Sequence, residues 1–246
     1  MLKIYLCAFK KKCYLEEAKI CIESLRTNGQ FKGPIYLFTD MEVTLTNIEV
    51  IKANCDSIPL SAAFRIQLFN YIKDYDSNDI FLYLDTDIVI LKPLPSFNYI
   101  GNKIQVYGYT SRSQVEPSFS GFITNDPHFT KKTAISSGIL LFRPSLKVKK
   151  VFDEIYEIYT ELIKENKIND CWEQPALCFK LIEHDMQTIS LNDYVYEERS
   201  NKPITDLHIF NHFCGMRGDT RYIKMKKYLF KCRTSHKIRY IPMCFK

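Results

Sequence analysis

The sequence predicts an α/β fold: a mixed, mostly parallel, Rossmann-like sheet flanked by helices. Three observations carry that expectation. Strand, helix and strand follow one another within the first ~40 residues, the signature of a βαβ unit and hence of a parallel sheet. Ile80 to Leu84 is a near-continuous apolar run, as in a strand covered on both faces. The chain has 246 residues and is 46% apolar, enough for one sizeable α/β domain and short for two.

Lys3 to Phe9 reads as a strand. Tyr14 to Arg26 reads as a helix, because Leu15, Ala18, Ile22 and Leu25 recur at helical spacing. Asn28-Gly29 is expected to end it through a left-handed cap. Gly33-Pro34 turns the chain into a second strand, Ile35 to Phe38. Ala62 to Lys73 reads as one helix. The strand Ile80 to Leu84 runs into Asp85-Thr86-Asp87, and Ile88 to Leu91 resumes the apolar pattern. Residues 110 to 135, rich in Ser, Thr, Asn and Pro, read as a long excursion, a mobile loop over a site. Ile139 to Phe142 is a further buried strand. Val148 to Asn166 and Gln174 to Leu181 read as helices. So does Arg221 to Lys231, with Lys224, Lys227 and Lys231 on one face.

Charge is unevenly spread. The net charge is +6, yet from Arg217 onward there are ten Lys or Arg and one acid, and the body before it is mildly acidic. A localised basic end suits phosphates on a nucleotide, a lipid surface or a nucleic acid; the competing reading is a solvated helix face. Nine cysteines without a Cys-x-x-Cys pair leave a zinc ribbon or a thioredoxin-like site unsupported. No signal peptide or membrane span is legible, so a cytoplasmic protein with idle thiols is expected.

Asp85-Thr86-Asp87 is the sharpest chemical feature. Residues i and i+2 of an extended segment point the same way, so two carboxylates project from the C-terminal end of a buried strand, the edge where open α/β sheets bind ligands. Adjacent carboxylates repel unless a cation lies between them, and oxygen donors suit Mg or Mn, ions that hold diphosphates. The competing reading is a pair of turn-forming aspartates. In His208-Ile-Phe-Asn-His212-Phe-Cys-Gly215, His212 stands out because a glycine follows three residues on, allowing close backbone approach. His208 is the rival candidate. A nitrogen ligand favours Mn over Mg. Glu173-Gln174 places a carboxylate beside a carboxamide, suited to sugar hydroxyls or to steadying a charged transition state, and equally suited to starting a helix. No Gly-x-Gly-x-x-Gly, Walker-type loop, Gly-x-Ser-x-Gly or His-Glu-x-x-His occurs. With only eight glycines, phosphates must be held by metal, basic side chains or a few amides.

Taken in order, these segments resemble the retaining glycosyltransferases of family 8, the glycogenin-like and galactosyltransferase-like enzymes with the GT-A fold. The resemblance runs from residue 3 to 218 and implies a single GT-A domain over residues 1–218, with residues 219–246 a basic extension packed on or beside it. Ser24-Leu25-Arg26 looks like the family's Ser-Leu-Lys/Arg. Tyr14 falls where a tyrosine stacks on uracil, and Ala8 and Phe9 fall in the same donor-binding region. Arg65 falls where a basic residue approaches the donor. Tyr83 to Asp87 is similar to the metal motif, with Thr86 in the donor site. Ser136-Ser137-Gly138, followed by Pro144-Ser145, looks like the Asn-Ser-Gly segment. Glu173-Gln174-x-x-Leu177 looks like Asp-Gln-x-x-Leu. His212-Phe-Cys-Gly215 looks like His-Phe-x-Gly, whose histidine is the third metal ligand.

What the resemblance implies is a metal-dependent transfer of a hexose-type sugar from a UDP-sugar, with retention, to a glycan, protein or lipid acceptor. Asp85, Asp87 and His212 would hold Mn, with Mg the alternative ion. Glu173 and Gln174 would lie near the reacting sugar. Gly215, Arg217 and Gly218 would complete the donor site. Four segments depart from the family pattern: Ser136 replaces asparagine, Glu173 replaces aspartate, Gly218-Asp219-Thr220 replaces Lys-Pro-Trp, and Lys11-Lys12 replaces Asn-Asp. Arg217 and Arg221 are the cations near the missing lysine. The basic tail is expected to touch a membrane surface peripherally; nucleic acid is not the expected partner, and a homodimer is left open. The alternatives are a nucleotidyltransferase, which also places Asp-x-Asp after a buried strand, and a non-catalytic module that binds nucleotide or glycan.

Overall fold

The computed structural model describes residues 1–97, 100–199, 203–216 and 219–239. The chain opens with β1 (Leu2–Cys7), α1 (Lys12–Thr27), β2 (Ile35–Thr39) and β3 (Glu49–Lys52). Two short helices, α2 (Ile58–Ala62) and α3 (Leu68–Tyr71), precede β4 (Ile80–Leu84) and β5 (Ile88–Ile90). Then come β6 (Ile104–Gln105), β7 (Gly108–Ser113), α4 (Pro127–Thr130), β8 (Thr133–Ile135) and β9 (Ile139–Phe142). The long α5 (Leu146–Lys164) and α6 (Gln174–Glu183) lead to β10 (Gln187–Thr188), β11 (Val195–Glu197), β12 (Phe210–His212) and α7 (Asp219–Arg239). The chain divides into two compact units. The first comprises Met1–Lys10, Gly33–Asp85 and Phe97–Asn192; the second comprises Lys11–Lys32, Thr86–Ser96 and the chain from Asp193 on.

The first unit is the predicted mixed, mostly parallel sheet, seven strands in the order β10-β6-β9-β4-β1-β2-β3. All neighbours are parallel except at β9, which runs antiparallel to both β4 and β6. Its buried aromatics interlock: Phe81 stacks on Phe142, its register partner across the strands, at 5.9 Å, and Phe142 meets Phe152 of α5 edge-on at 5.1 Å. Ser145 starts α5 by accepting the Val148 N–H at 3.1 Å. Val148, Val151, Phe152, Ile155 and Tyr159 then recur at helical spacing on its buried face.

The structure corrects three expectations. The helix expected from Ala62 to Lys73 begins earlier, at Ile58, behind a Ser57 cap that accepts the Leu60 N–H. It tightens to a 3₁₀ turn over Ala63–Ile66 and breaks at Gln67, whose φ −95° and ψ 9° are not helical. The excursion at 110–135 carries regular structure rather than a bare loop, because Gln114 is buried and pins it. Its backbone N–H donates to Lys132 O, its Nε2 to Thr133 O, and its Oε1 accepts from Ser120. The cap after α1 is not left-handed at Asn28-Gly29; Asn28 is right-handed (φ −78°) and the left-handed residue is Gln30, at φ 52°. Gly29 is needed for closeness instead, since a Cβ there would sit 2.7 Å from Leu25 O and 3.2 Å from Ile90 Cγ2.

The second unit holds a three-stranded sheet, β11-β12-β5, with α1 and α7. Its small core joins Ile20, Val89, Phe213, Met225 and Leu229. α1 clamps the edge strand: Ser24 Oγ accepts the Ile90 N–H at 2.9 Å and Asn28 Nδ2 donates to Ile90 O at 2.8 Å. The expected tail helix is part of α7; Lys227 is exposed on it, and the side chain of Lys231 lies outside the described residues. Cys7, Cys13, Cys55, Cys171, Cys178 and Cys214 are free thiols. No helix among those residues is long and apolar enough to cross a membrane.

Candidate functional site

In the first unit the candidate residues gather where β4 ends. Because β9 is antiparallel to β4, with Leu84 opposite Ile139, the residues that enter β9 lie beside the residue that leaves β4. The Asp85 N–H accordingly donates to Gly138 O at 2.9 Å. Tyr83, two residues earlier in the strand, donates its hydroxyl to Asp85 Oδ1 at 2.6 Å. Burial pushes the Tyr83 phenol well up, so it stays a donor.

Arg65, on the 3₁₀ turn, ties the group together. Its Nη1 donates to Ser137 O (3.1 Å) and Oγ (2.9 Å) and lies 3.3 Å from Asp85 Oδ1. Its Nε donates to Ala62 O and sits 3.2 Å from Glu173 Oε1, and the guanidinium covers the Tyr83 ring at 5.1 Å. Burial opposes the charge on Arg65, but Asp85 and Glu173 more than restore it. Glu173 is only 1% exposed, and its Oε1 has no hydrogen-bond partner among the described residues. Burial raises its pKa and Arg65 opposes the rise. Gln174 Oε1 accepts the Ser137 N–H at 3.1 Å, which leaves the amide NH₂ as the end that can donate. Ser136 Oγ accepts the Gly138 N–H. Trp172, just before Glu173, is left-handed at φ 54°, an uncommon conformation for a bulky residue that costs of order 1 kcal/mol.

Of the other donor-site candidates in this unit, Ala8 and Phe9 are buried. The Ala8 N–H donates to Phe38 O, and Phe9 packs on Phe64 at 4.2 Å. Only their backbone is left to meet a ligand.

In the second unit, β12 runs antiparallel to β5 with His212 opposite Ile88, and the Phe213 N–H donates to Asp87 O at 3.0 Å. His212 Nε2 thereby comes within 3.3 Å of Asp87 Oδ1. That oxygen is buried without a hydrogen-bond partner among the described residues. The other, Oδ2, accepts from Arg221 Nη1 at 2.8 Å. Arg221 also grips Glu17 with two bonds, Nε to Oε1 at 2.8 Å and Nη2 to Oε2 at 2.7 Å. Burial works against the Asp87 carboxylate, but His212 and then Arg221 hold it down at about 2. Burial raises Glu17, with Arg221 opposing. Thr86 is buried and donates to Glu17 Oε2 at 3.3 Å, so its side chain braces the carboxylate. The Tyr14 ring has Lys11 Nζ at 5.5 Å and Arg221 at 5.9 Å.

The rival histidine is engaged elsewhere: His208 Nδ1 accepts the Thr205 N–H at 2.7 Å and its ring leans on Tyr196. Gly215 is left-handed, φ 76°, with Arg199 against it, so the glycine is required by conformation. Arg217 and Gly218 lie outside the described residues.

Asp87 and His212 suit a divalent ion. Two ligands each ~2.1 Å from one ion at near-right angles lie ~3 Å apart, close to the observed spacing. A buried carboxylate oxygen beside an imidazole nitrogen is a donor pair suited to a divalent ion. Sequence reasoning missed Glu17 and the role of Tyr83. Glu17 sits between Leu15 and Ala18 and is the one charged residue on the buried face of α1, the only signal it leaves.

No protein-family model matches the chain, and no curated protein sequence does. Among solved structures, it is similar to the galactosyltransferase LgtC in complex with donor and acceptor sugar analogues. The TM-score is 0.59 at 13% identity, over 94% of this chain and 96% of that one. At that identity the likeness shows the fold, and this chain has the GT-A fold.

Proposed function

We propose that the chain is a metal-dependent glycosyltransferase that moves a hexose-type sugar from a UDP-sugar to a glycan, protein or lipid acceptor with retention. The observation that carries this reading is the buried Asp87 Oδ1 at ligand spacing from His212 Nε2, on a GT-A fold. Asp85, two residues earlier in the chain, is the third proposed ligand, and Mn is favoured over Mg by the imidazole. When bound, the ion neutralises charge on the leaving diphosphate. The chain's own residues do the rest. Arg65 holds the Asp85 carboxylate and Ser137 in one orientation. Gln174 presents its NH₂ and Glu173 its carboxyl to the sugar, in a dry setting where such groups count most. Tyr14, with Lys11 and Arg221 near its ring, is the proposed base-stacking face, and Gly215, Arg217 and Gly218 complete the donor site. The exposed α7 residues Ile223, Lys227 and Phe230 suit the expected peripheral contact with a membrane.

Release of UDP from a panel of UDP-sugars, with Mn, Mg or chelator, tests the reading without a known acceptor. Metal-dependent release is expected in the wild type, with a loss of at least ~100-fold in Asp87→Ala. If no donor is hydrolysed and no nucleotide stabilises the fold in a metal-dependent way, the chain is a binding module. Release of pyrophosphate from UTP and a sugar 1-phosphate instead would make it a nucleotidyltransferase.

A further inference from the structure

On the second unit's small sheet, β11 and β12 run parallel with Glu197 in register with His212, so both side chains project from one face. Cys214, two residues beyond His212, returns to the same side. A Glu197 carboxylate oxygen, a His212 ring nitrogen and Cys214 Sγ all lie within 4.8 Å of one another. Glu197 is oriented from behind, with Arg199 Nε 3.3 Å from Oε2. Its Oε1 is buried and has no hydrogen-bond partner among the described residues. A cluster without cysteine, Glu154, Glu183 and His184 in the first unit, already holds a cation: Lys180 Nζ lies 3.1 Å from Glu154 and 2.5 Å from Glu183. In the Glu197 cluster one carboxylate oxygen meets Arg199, and the carboxylate also meets the Cys214 thiol.

We propose that Glu197, His212 and Cys214 form a second metal site, selective for a borderline-soft divalent ion such as zinc, which competes with the hard-ion site for His212. Thiolate, imidazole and carboxylate are the ligand types that zinc takes in sets of three, with a fourth position open, whereas Mn and Mg gain little from sulfur. Binding exchanges the Cys214 thiol proton for the ion and releases that proton to solvent. Both sites draw on the single His212 ring, and in this proposal zinc displaces Mn from it and switches the transferase off. Zinc binding rests on the geometry of the second unit alone; the competition rests on the role proposed above for Asp87 and His212.

The test is an equilibrium zinc titration against a chromophoric chelator, with Co(II) as the spectroscopic probe, on the wild type, Cys214→Ser and Glu197→Gln. The wild type should show a thiolate-to-Co(II) charge-transfer band, which Cys214→Ser removes, with zinc affinity falling ~100-fold; Glu197→Gln should weaken zinc ~10-fold and keep the band. Thermal unfolding of each variant confirms that it is folded. Free Mn followed by electron paramagnetic resonance should rise when one equivalent of zinc is added to the wild type and stay level in Cys214→Ser. Unchanged zinc affinity and an unchanged band in Cys214→Ser would overturn the site. Zinc binding as expected with no effect on Mn would overturn the competition, while failure of UDP release alone would count against the transferase and leave the zinc site standing.

Discussion

Arg221 holds two buried carboxylates at once, so its loss should be costly. Glu17 is fully buried and Asp87 nearly so. Removing one partner of such a cluster leaves uncompensated charge, which costs about 3–5 kcal/mol. Arg221→Met should therefore lose that much stability in urea unfolding. Arg221→Lys should recover only part, because an ammonium cannot reproduce the two-pronged grip on Glu17. Equal stability of all three proteins would show the cluster to be idle. At Glu173 the expected effect is on rate: Glu173→Gln keeps the shape but removes the charge facing Arg65, and UDP release should fall ~100-fold with KM little changed. Full activity would remove Glu173 from the mechanism. Both aspartates of Asp85-Thr86-Asp87 were legible in the sequence, because alternation and strand-end position are local properties. The pairing of Glu17 with Arg221 was not, because 204 residues separate them and no local pattern encodes a pair that distant.

At the scale of elements, α1 serves the edge of β5 with side chains where an edge strand would otherwise show bare backbone. Ser24 and Asn28 satisfy the N–H and C=O of Ile90. Both are buried, and the strand they hold follows directly on Asp87. Ser24→Ala leaves the Ile90 N–H unsatisfied, at a cost of about 1–3 kcal/mol. Hydrogen exchange should report faster opening at the Ile90 amide, and an unchanged protection factor would deny the clamp. The periodicity of α1 was readable because Leu15, Ala18, Ile22 and Leu25 mark one face. The break at Gln67 was not, since Phe64, Leu68 and Tyr71 keep helical spacing across it. The order within 110–135 was hidden for a similar reason: a polar composition does not reveal that Gln114 is buried and bonded on three sides.

Across the whole molecule, stability should depend on pH through Asp79. Burial disfavours its charge, but Lys3 Nζ at 2.9 Å and the Asp76 N–H hold its pKa down at about 2, from an ordinary 3.8. A depressed carboxylate stabilises the fold fully above its unfolded pKa and loses that contribution as pH falls through the folded one. Roughly 2 kcal/mol should therefore disappear between about pH 4 and pH 2. Asp79→Asn should be less stable at neutral pH and flatter over that window; a parallel pH profile would refute the assignment. What the sequence determined by itself was the alternation of strands and helices, the mostly parallel sheet, and two carboxylates where a buried strand ends, because hydrophobic period and chain continuity are written residue by residue. Only the tertiary structure decided that β9 and β12 run antiparallel to β4 and β5. Strand direction is set by the path of the chain between strands, which a strand's own residues do not carry. That direction brings Ser137 and Gly138 to Asp85 in one unit and His212 to Asp87 in the other.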